Sequence, residues 1–338
     1  MEIISYVAVA VCFLFTFING FHDGCNVIAT IISSRAIAPV RALWIACIAE
    51  FSGSMLLGTG VALTIGKGVI NFDSLVPFGG KISVLALLSA MSAAIIWNLI
   101  TWWVRMPSSS SHALIGGLLG GGLSVCGIRG INWENFLYKV VLVLFTSPII
   151  GFVAGYIFLR IVVKITRNMH PRTNNSLKVI QIFSMFTLGM SHGSNDSQKT
   201  MGFVAMILLL SGQTAGNFHI PLWVQATSAA MIALGLSAGG WRLIKTVGSG
   251  IFNVKPIHSF ASQVSSAATI IVALLIGGPV SSSQIVNSSI MGVGTAERKN
   301  AVRWDTVKNI LISWACTIPA SAVIAAMLFF VCKAIMGI

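Results

Sequence analysis

Residues 20–26 read Gly20-Phe21-His22-Asp23-Gly24-Cys25-Asn26, and residues 193–199 read Gly193-Ser194-Asn195-Asp196-Ser197-Gln198-Lys199. Each sets an aspartate inside an otherwise apolar stretch, and the two aspartates are 173 positions apart. A second pair follows at nearly the same spacing. Pro107-Ser108-Ser109-Ser110-Ser111-His112 matches Pro279-Val280-Ser281-Ser282-Ser283-Gln284 at an offset of 172, and Gly120 and Gly122 match Gly292 and Gly294 at the same 172. One near-constant offset shared by several motifs marks an internal duplication.

The chain around these motifs has 338 residues, 56% apolar and only 9% charged, with a mean hydropathy of +0.90. An ordinary soluble domain is about 25% charged, so a soluble enzyme is excluded. A membrane-spanning helix needs about 20 mostly apolar residues, and with short loops the chain has room for about ten crossings. The net charge of +13 sits singly or in small clusters between apolar runs, as the positive-inside rule expects, and does not point to nucleic acid. Six scattered cysteines form no CxxC pair and no disulfide framework. The apolar start has no basic n-region and reads as a first membrane helix.

The basic clusters set a topology. Arg35 and Arg41, Arg105, the central cluster Lys164, Arg167, Arg172 and Lys178, then Arg242, Lys245 and Lys255, and finally Arg298, Lys299, Arg303 and Lys308 fall on one side. The loop at 67–81 with Lys67, Asp73 and Lys81, a weaker bias, the segment with Arg129 and Glu134, the uncharged loop at 213–221 and both termini fall on the outer side. The reading is therefore an all-α polytopic protein of the cell membrane, with residues 1–163 as one unit, 164–178 as a basic cytoplasmic loop and 179–338 as a second unit. Each unit crosses about five times. An odd count requires the two copies to be inverted relative to each other, an architecture of secondary transporters with broken helices and half-helices near the midplane. Polar breaks inside a bilayer are tolerated only where they are buried or line a cavity, so all four motifs should meet there.

The two Pro-Ser runs read as helix starts, with serine caps. Free N–H groups, hydroxyls and the positive dipole end make such a start an anion site. Ser109, Ser110 and Ser111 from one side and Ser281, Ser282 and Ser283 from the other could enclose one tetrahedral oxyanion, with Asn195 and Lys199 as further donors. A single serine run would more simply cap a helix; two matched runs beside matched aspartates favour binding.

Asp23 and Asp196 would repel an anion. A phosphate that keeps a proton can donate to a carboxylate, whereas sulfate cannot. Two aspartates and a phosphate still total about −3 to −4 against the single charge of Lys199, and unpaired buried charge is costly, so cations must enter with the anion. Candidate carriers are Asp23, Asn26, Asp196 and Glu50, with Na+ at Asp23, Asn26 and Asp196 or protons on the acids. Lys199 stands where the first copy has Asn26, so the second copy lacks a full sodium site, which favours proton coupling or a single sodium. Gln225 lies near the place equivalent to Glu50. His22, His112 and His192 adjoin the motifs; each more simply bonds a neighbouring helix than holds a metal or relays a proton. Gly189-Met190-Ser191-His192-Gly193 matches the nucleophile-elbow pattern, which needs a strand-to-helix turn this chain does not supply.

With these residues in view the chain resembles the inorganic phosphate transporter family, and in particular its bacterial low-affinity members. The resemblance rests on the duplicated G-x-N-D-x-x-N-type motif at 20–26 and 193–199 and on the paired P-x-S-x-[ST]-H segments at 107–112 and 279–284. It extends to Glu50 and to Ala301-Val302-Arg303-Trp304 and covers nearly the whole chain. It implies a phosphate symporter driven by Na+ or H+, without a resident cofactor, whose aspartates, paired asparagine and serine segments form the phosphate and cation sites. This chain departs from the pattern at His22, Lys199 and Gln284; Lys199 and His22 put a two-sodium site in doubt, and Gln284 removes a proton carrier.

The expected function is thus phosphate import by alternating access between lipid-embedded halves. Relatives of this kind include carriers of sulfate and of phosphate as a neutral metal complex. A sulfate permease of the same fold therefore stays open, as do homo-oligomerisation and a separate cytoplasmic regulator at the 164–178 loop. The alternative from another class is an intramembrane hydrolase using Ser191 or Ser111 with an adjacent histidine.

Overall fold

The structure, a computed structural model, describes residues 3–68, 75, 78–168, 173–214, 218–239, 244 and 246–337. Asp73, Arg172, Arg242 and Lys245 lie outside the described residues. The first half carries α1 (Ile3–Asp23), α2 (Cys25–Ser33), α3 (Pro39–Leu56), α4 (Gly60–Gly68), α5 (Gly79–Trp103), α6 (Ser110–Cys126) and α7 (Leu142–Thr166). The second carries α8 (Thr173–Leu210), α9 (Leu222–Ala238), α10 (Pro256–Leu275), α11 (Ser282–Glu297) and α12 (Trp304–Met336).

Among the described residues five helices are long and apolar enough to cross a membrane, and α3 with the start of α4, bent by 69° at a short break, adds a sixth if the bent pair is one span. The further crossings that the sequence reading expects would fall on α8, whose middle is polar, and on shorter helices such as α6 and α9. Exposure agrees with a lipid surroundings. On α7, Phe145, Ile149, Val153, Ile157 and Ile161 form an exposed apolar stripe at four-residue spacing. The other face of α7 presents Ser147, Gly151, Gly155 and Leu159, all buried.

Packing partners exchange between the halves. α6 packs on α12 and α11 on α7; α8 packs on α3 and α1 on α9; α5 packs on α6 and α10 on α11. The halves are therefore interleaved, each short helix held by the long final helix of the other half. Small residues make this possible. A Cβ on Gly116 or Gly120 of α6 would strike backbone carbonyls of α12, and one on Gly292 of α11 would strike Phe152 O of α7.

The serine caps form as the sequence predicts. Ser109 is extended and its Oγ accepts from His112 N at 3.1 Å; Ser281 is extended and accepts from Gln284 N at 3.4 Å. The expectation that both aspartate motifs break their helices holds only weakly. At the first, α1 ends on Asp23 and α2 starts on Cys25, but the linking Gly24 keeps helical angles. At the second, α8 runs unbroken through Asp196. The reason is local: Lys199, one turn on, supplies the countercharge on the same helix face, so the backbone need not unwind to satisfy the acid.

Candidate functional site

The two serine-capped helix starts meet head to head. Ser109 Oγ lies 2.7 Å from Ser281 Oγ, and His112 Nδ1 lies 3.0 Å from Gln284 Nε2. Each of these is a contact between positions matched at the offset of 172. Two further bonds exchange in the same way: Ser111 Oγ donates to Val280 O at 3.2 Å, and Ser283 Oγ donates to Ser108 O at 3.3 Å. Contacts that are self-matched or reciprocal are the mark of a local two-fold relation. The serines are sealed from solvent, with Ser108 to Ser111 and Ser281 to Ser283 at most 5% exposed.

The acidic residues flank this junction, and each has a basic neighbour. Asp196 Oδ1 accepts from Lys199 Nζ at 2.6 Å and from Asn195 Nδ2 at 2.8 Å, while Ser282 Oγ reaches both of its oxygens at 2.9 and 3.0 Å. Lys199 Nζ also donates to Ser111 Oγ at 2.5 Å, tying the second aspartate motif to the first serine run. Asn195 Nδ2 further donates to Val280 O at 3.1 Å. Asp23 Oδ1 lies 2.8 Å from His22 Nδ1. Glu50 Oε1 lies 2.9 Å from His192 Nδ1, and His192 Nε2 lies 3.5 Å from Asp196 Oδ2; both are ion-pair distances without hydrogen-bond alignment. All three acids are nearly or wholly buried. An ion carried into such an interior costs several kcal/mol unless it is paired; Asp196 has the Lys199 ammonium, while Asp23 and Glu50 each have a histidine as neighbour.

Among the residues read from the sequence, Ser109, Ser111, Ser281, Ser282, Ser283, Asn195, Asp196 and Lys199 join in one set of contacts. Ser110 turns away and accepts from Asn98 Nδ2 at 3.0 Å. Asn26 Nδ2 donates back to Asp23 O at 2.8 Å. Among the described residues, Glu50 reaches the set through His192. Gln225 does not repeat the role of Glu50; it donates to Ser54 O and Met55 O at the end of α3. Ser191 Oγ donates to Leu188 O within α8, and so stands on an ordinary helical turn.

The sequence reading passes over Asn19, Asn98 and Thr101. Thr101 Oγ1 lies 2.8 Å from Ser108 Oγ and 3.3 Å from His22 Nε2, linking Asp23 to the first serine run. Asn98 and Thr101 are polar residues three apart in the long apolar stretch of α5, a signal that was available. Asn19 sits at the offset of 173 from His192, a match outside the seven-residue motif. A cleft of about 470 Å³ opens beside the junction, with His112 and Gln284 on its wall and Phe145, Phe152, Trp304 and Trp314 around it. Those walls suit hydrocarbon, not a hydrated anion. Among the described residues no cluster of three or more His, Cys, Asp or Glu side chains could hold a metal ion.

Comparison with known proteins gives the family and the fold. The phosphate transporter family matches residues 19–325. A probable low-affinity inorganic phosphate transporter of Bacillus subtilis (strain 168) is 39% identical over 331 residues, 97% of each chain. One of Rhizobium meliloti (strain 1021) is 39% identical over 323 residues, covering 95% of this chain and 94% of its own. A solved structure described as the sodium-dependent phosphate transporter aligns with a TM-score of 0.88 at 26% identity, covering 99% of this chain and 100% of the other. These relatives are transporters and not enzymes, which sets the hydrolase reading aside.

Proposed function

The chain belongs to the phosphate transporter family, and from that premise we propose that it imports inorganic phosphate across the cell membrane by symport with Na+ or H+. The observation that carries this reading is the reciprocal junction of the two serine-capped helix starts, Ser109 on Ser281, beside the Asp196–Lys199 pair. Residues 1–163 and 179–338 act as inverted repeats that rock about this junction. When the helix starts separate, Ser109, Ser110, Ser111, Ser281, Ser282 and Ser283 with their N–H groups take the place of water around the anion, and Asn195 and Lys199 add donors. Asp23 and Asp196 accept from a phosphate oxygen that keeps its proton, which discriminates against sulfate. Asp23, Asn26, Asp196 and Glu50 carry the coupling cation, whose charge lets the loaded site cross without a large net charge.

The test is uptake of labelled phosphate by proteoliposomes under a Na+ gradient and a pH gradient imposed separately. Concentrative uptake under at least one gradient is expected. Simple equilibration under both would indicate a passive pore and overturn the reading; complete block by equimolar sulfate would favour the sulfate permease.

A further inference from the structure

The offset of 173 pairs Asn19, Asp23 and Asn26 of the first half with His192, Asp196 and Lys199 of the second. The aspartate is kept, while both flanking amides become bases. In the first half the two amides are 1% and 3% exposed; among the described residues neither Oδ1 nor Nδ2 of Asn19, and not Oδ1 of Asn26, has a hydrogen-bond partner. Asn26 Nδ2 is engaged with Asp23 O, so it is the oxygen that is left over. A buried acceptor without a donor leaves its desolvation uncompensated. Asn19 and Asn26 stand four residues before and three after Asp23, and amide and carboxylate oxygens are the ligand types of a hard cation.

The second half is built differently at the same positions. Lys199 Nζ touches Asp196 Oδ1 and Ser111 Oγ, and His192 stands between Asp196 and Glu50. Among the described residues, the oxygens without a hydrogen-bond partner on this side are Asn195 Oδ1 beside Asp196, Gln284 Oε1 and Asn287 Oδ1 on α11, and both carboxylate oxygens of Glu50 next to His192. A second cation beside the ammonium would meet like charge, because Lys199 Nζ already holds the carboxylate of Asp196.

Resting on the transport reading above, we propose that Lys199 is a tethered cation: its ammonium takes the place that a free ion occupies at the equivalent position of the first half. The carrier then loads one free cation fewer than it would with an amide at that position. The fixed charge never leaves, so Ser111 and the anion beside it keep a positive neighbour throughout the cycle. The first half, through Asn19, Asp23 and Asn26, is where the free cation enters.

The experiment compares Lys199→Asn with the unaltered protein in proteoliposomes, taking the cation-to-phosphate ratio from the opposing gradient at which net flux reverses. The proposal expects one more Na+ per phosphate in the variant, and a steeper Na+ dependence of phosphate binding by the detergent-purified variant. Lys199→Met, with neither charge nor ligand oxygen, should gain no Na+. An unchanged ratio and unchanged steepness in Lys199→Asn overturn the proposal, as does a folded Lys199→Asn that binds phosphate at no Na+ concentration. If Lys199→Asn does not fold, Asn26→Lys decides: one coupled cation fewer supports the tethered charge, and the same number overturns it. Failure of the unaltered protein to take up phosphate would instead count against the transport reading, so the two failures are distinguishable.

Discussion

At the scale of single residues the site is an exercise in pairing buried charge. Asp196 gathers Lys199, Asn195 and Ser282 around one carboxylate, and no part of this set reaches solvent. Asp196→Asn keeps the shape but strands the ammonium, and breaking a buried pair in this way costs roughly 3–5 kcal/mol. Thermal unfolding in detergent should show a large loss for Asp196→Asn. The double variant with Lys199→Met should recover part of it, because the stranded charge is gone. Equal losses in the two would contradict the pairing. Ser191→Ala is the control: its buried hydroxyl back-bonds its own helix, so a stability loss of no more than about 1.5 kcal/mol and normal uptake are expected.

At the scale of elements, α3 and α8 bring the Glu50–His192 pair together by touching at glycines. A Cβ on Gly193 would collide with backbone atoms of Glu50, and one on Gly53 with Met190 O. Gly193→Ala should push the helices apart, cost about 1–3 kcal/mol through overpacking, and lower the melting temperature. A surface alanine substitution such as Val153→Ala on the lipid face of α7 should not. An unchanged melting temperature in Gly193→Ala would mean that the helices are not in this contact. Much of this level was legible in the sequence. The prolines and serines of 107–112 and 279–284 announce helix starts because capping is a local bond. The continuity of α8 through Asp196 was not legible, since it depends on Lys199 meeting the acid one turn on. Nor were the partners of Asn98 and Thr101, because which side chains meet across two helices is fixed by how the helices cross and not by spacing along either.

At the scale of the whole molecule, the duplicated offset, the interleaved packing and the reciprocal serine contacts describe one arrangement seen at three resolutions. The lipid-facing stripe of α7 and the small-residue contacts of α6 and α11 hold two long helices around two short ones. The short helices are thereby free to direct their starts inward, at each other. Membrane residence followed from composition alone. The place of each half relative to the other followed only from contacts between matched positions, such as His112 with Gln284.

The account stands or falls on where phosphate sits. The most direct measurement is an electron cryo-microscopy map of the purified protein with phosphate and the coupling cation. The account predicts one tetrahedral density between Ser109–Ser111 and Ser281–Ser283, within hydrogen-bond distance of both runs and in a cavity shared by Asp23 and Asp196. Phosphate density elsewhere, for instance in the apolar cleft by Trp314, or two aspartates with no cavity in common, would contradict it.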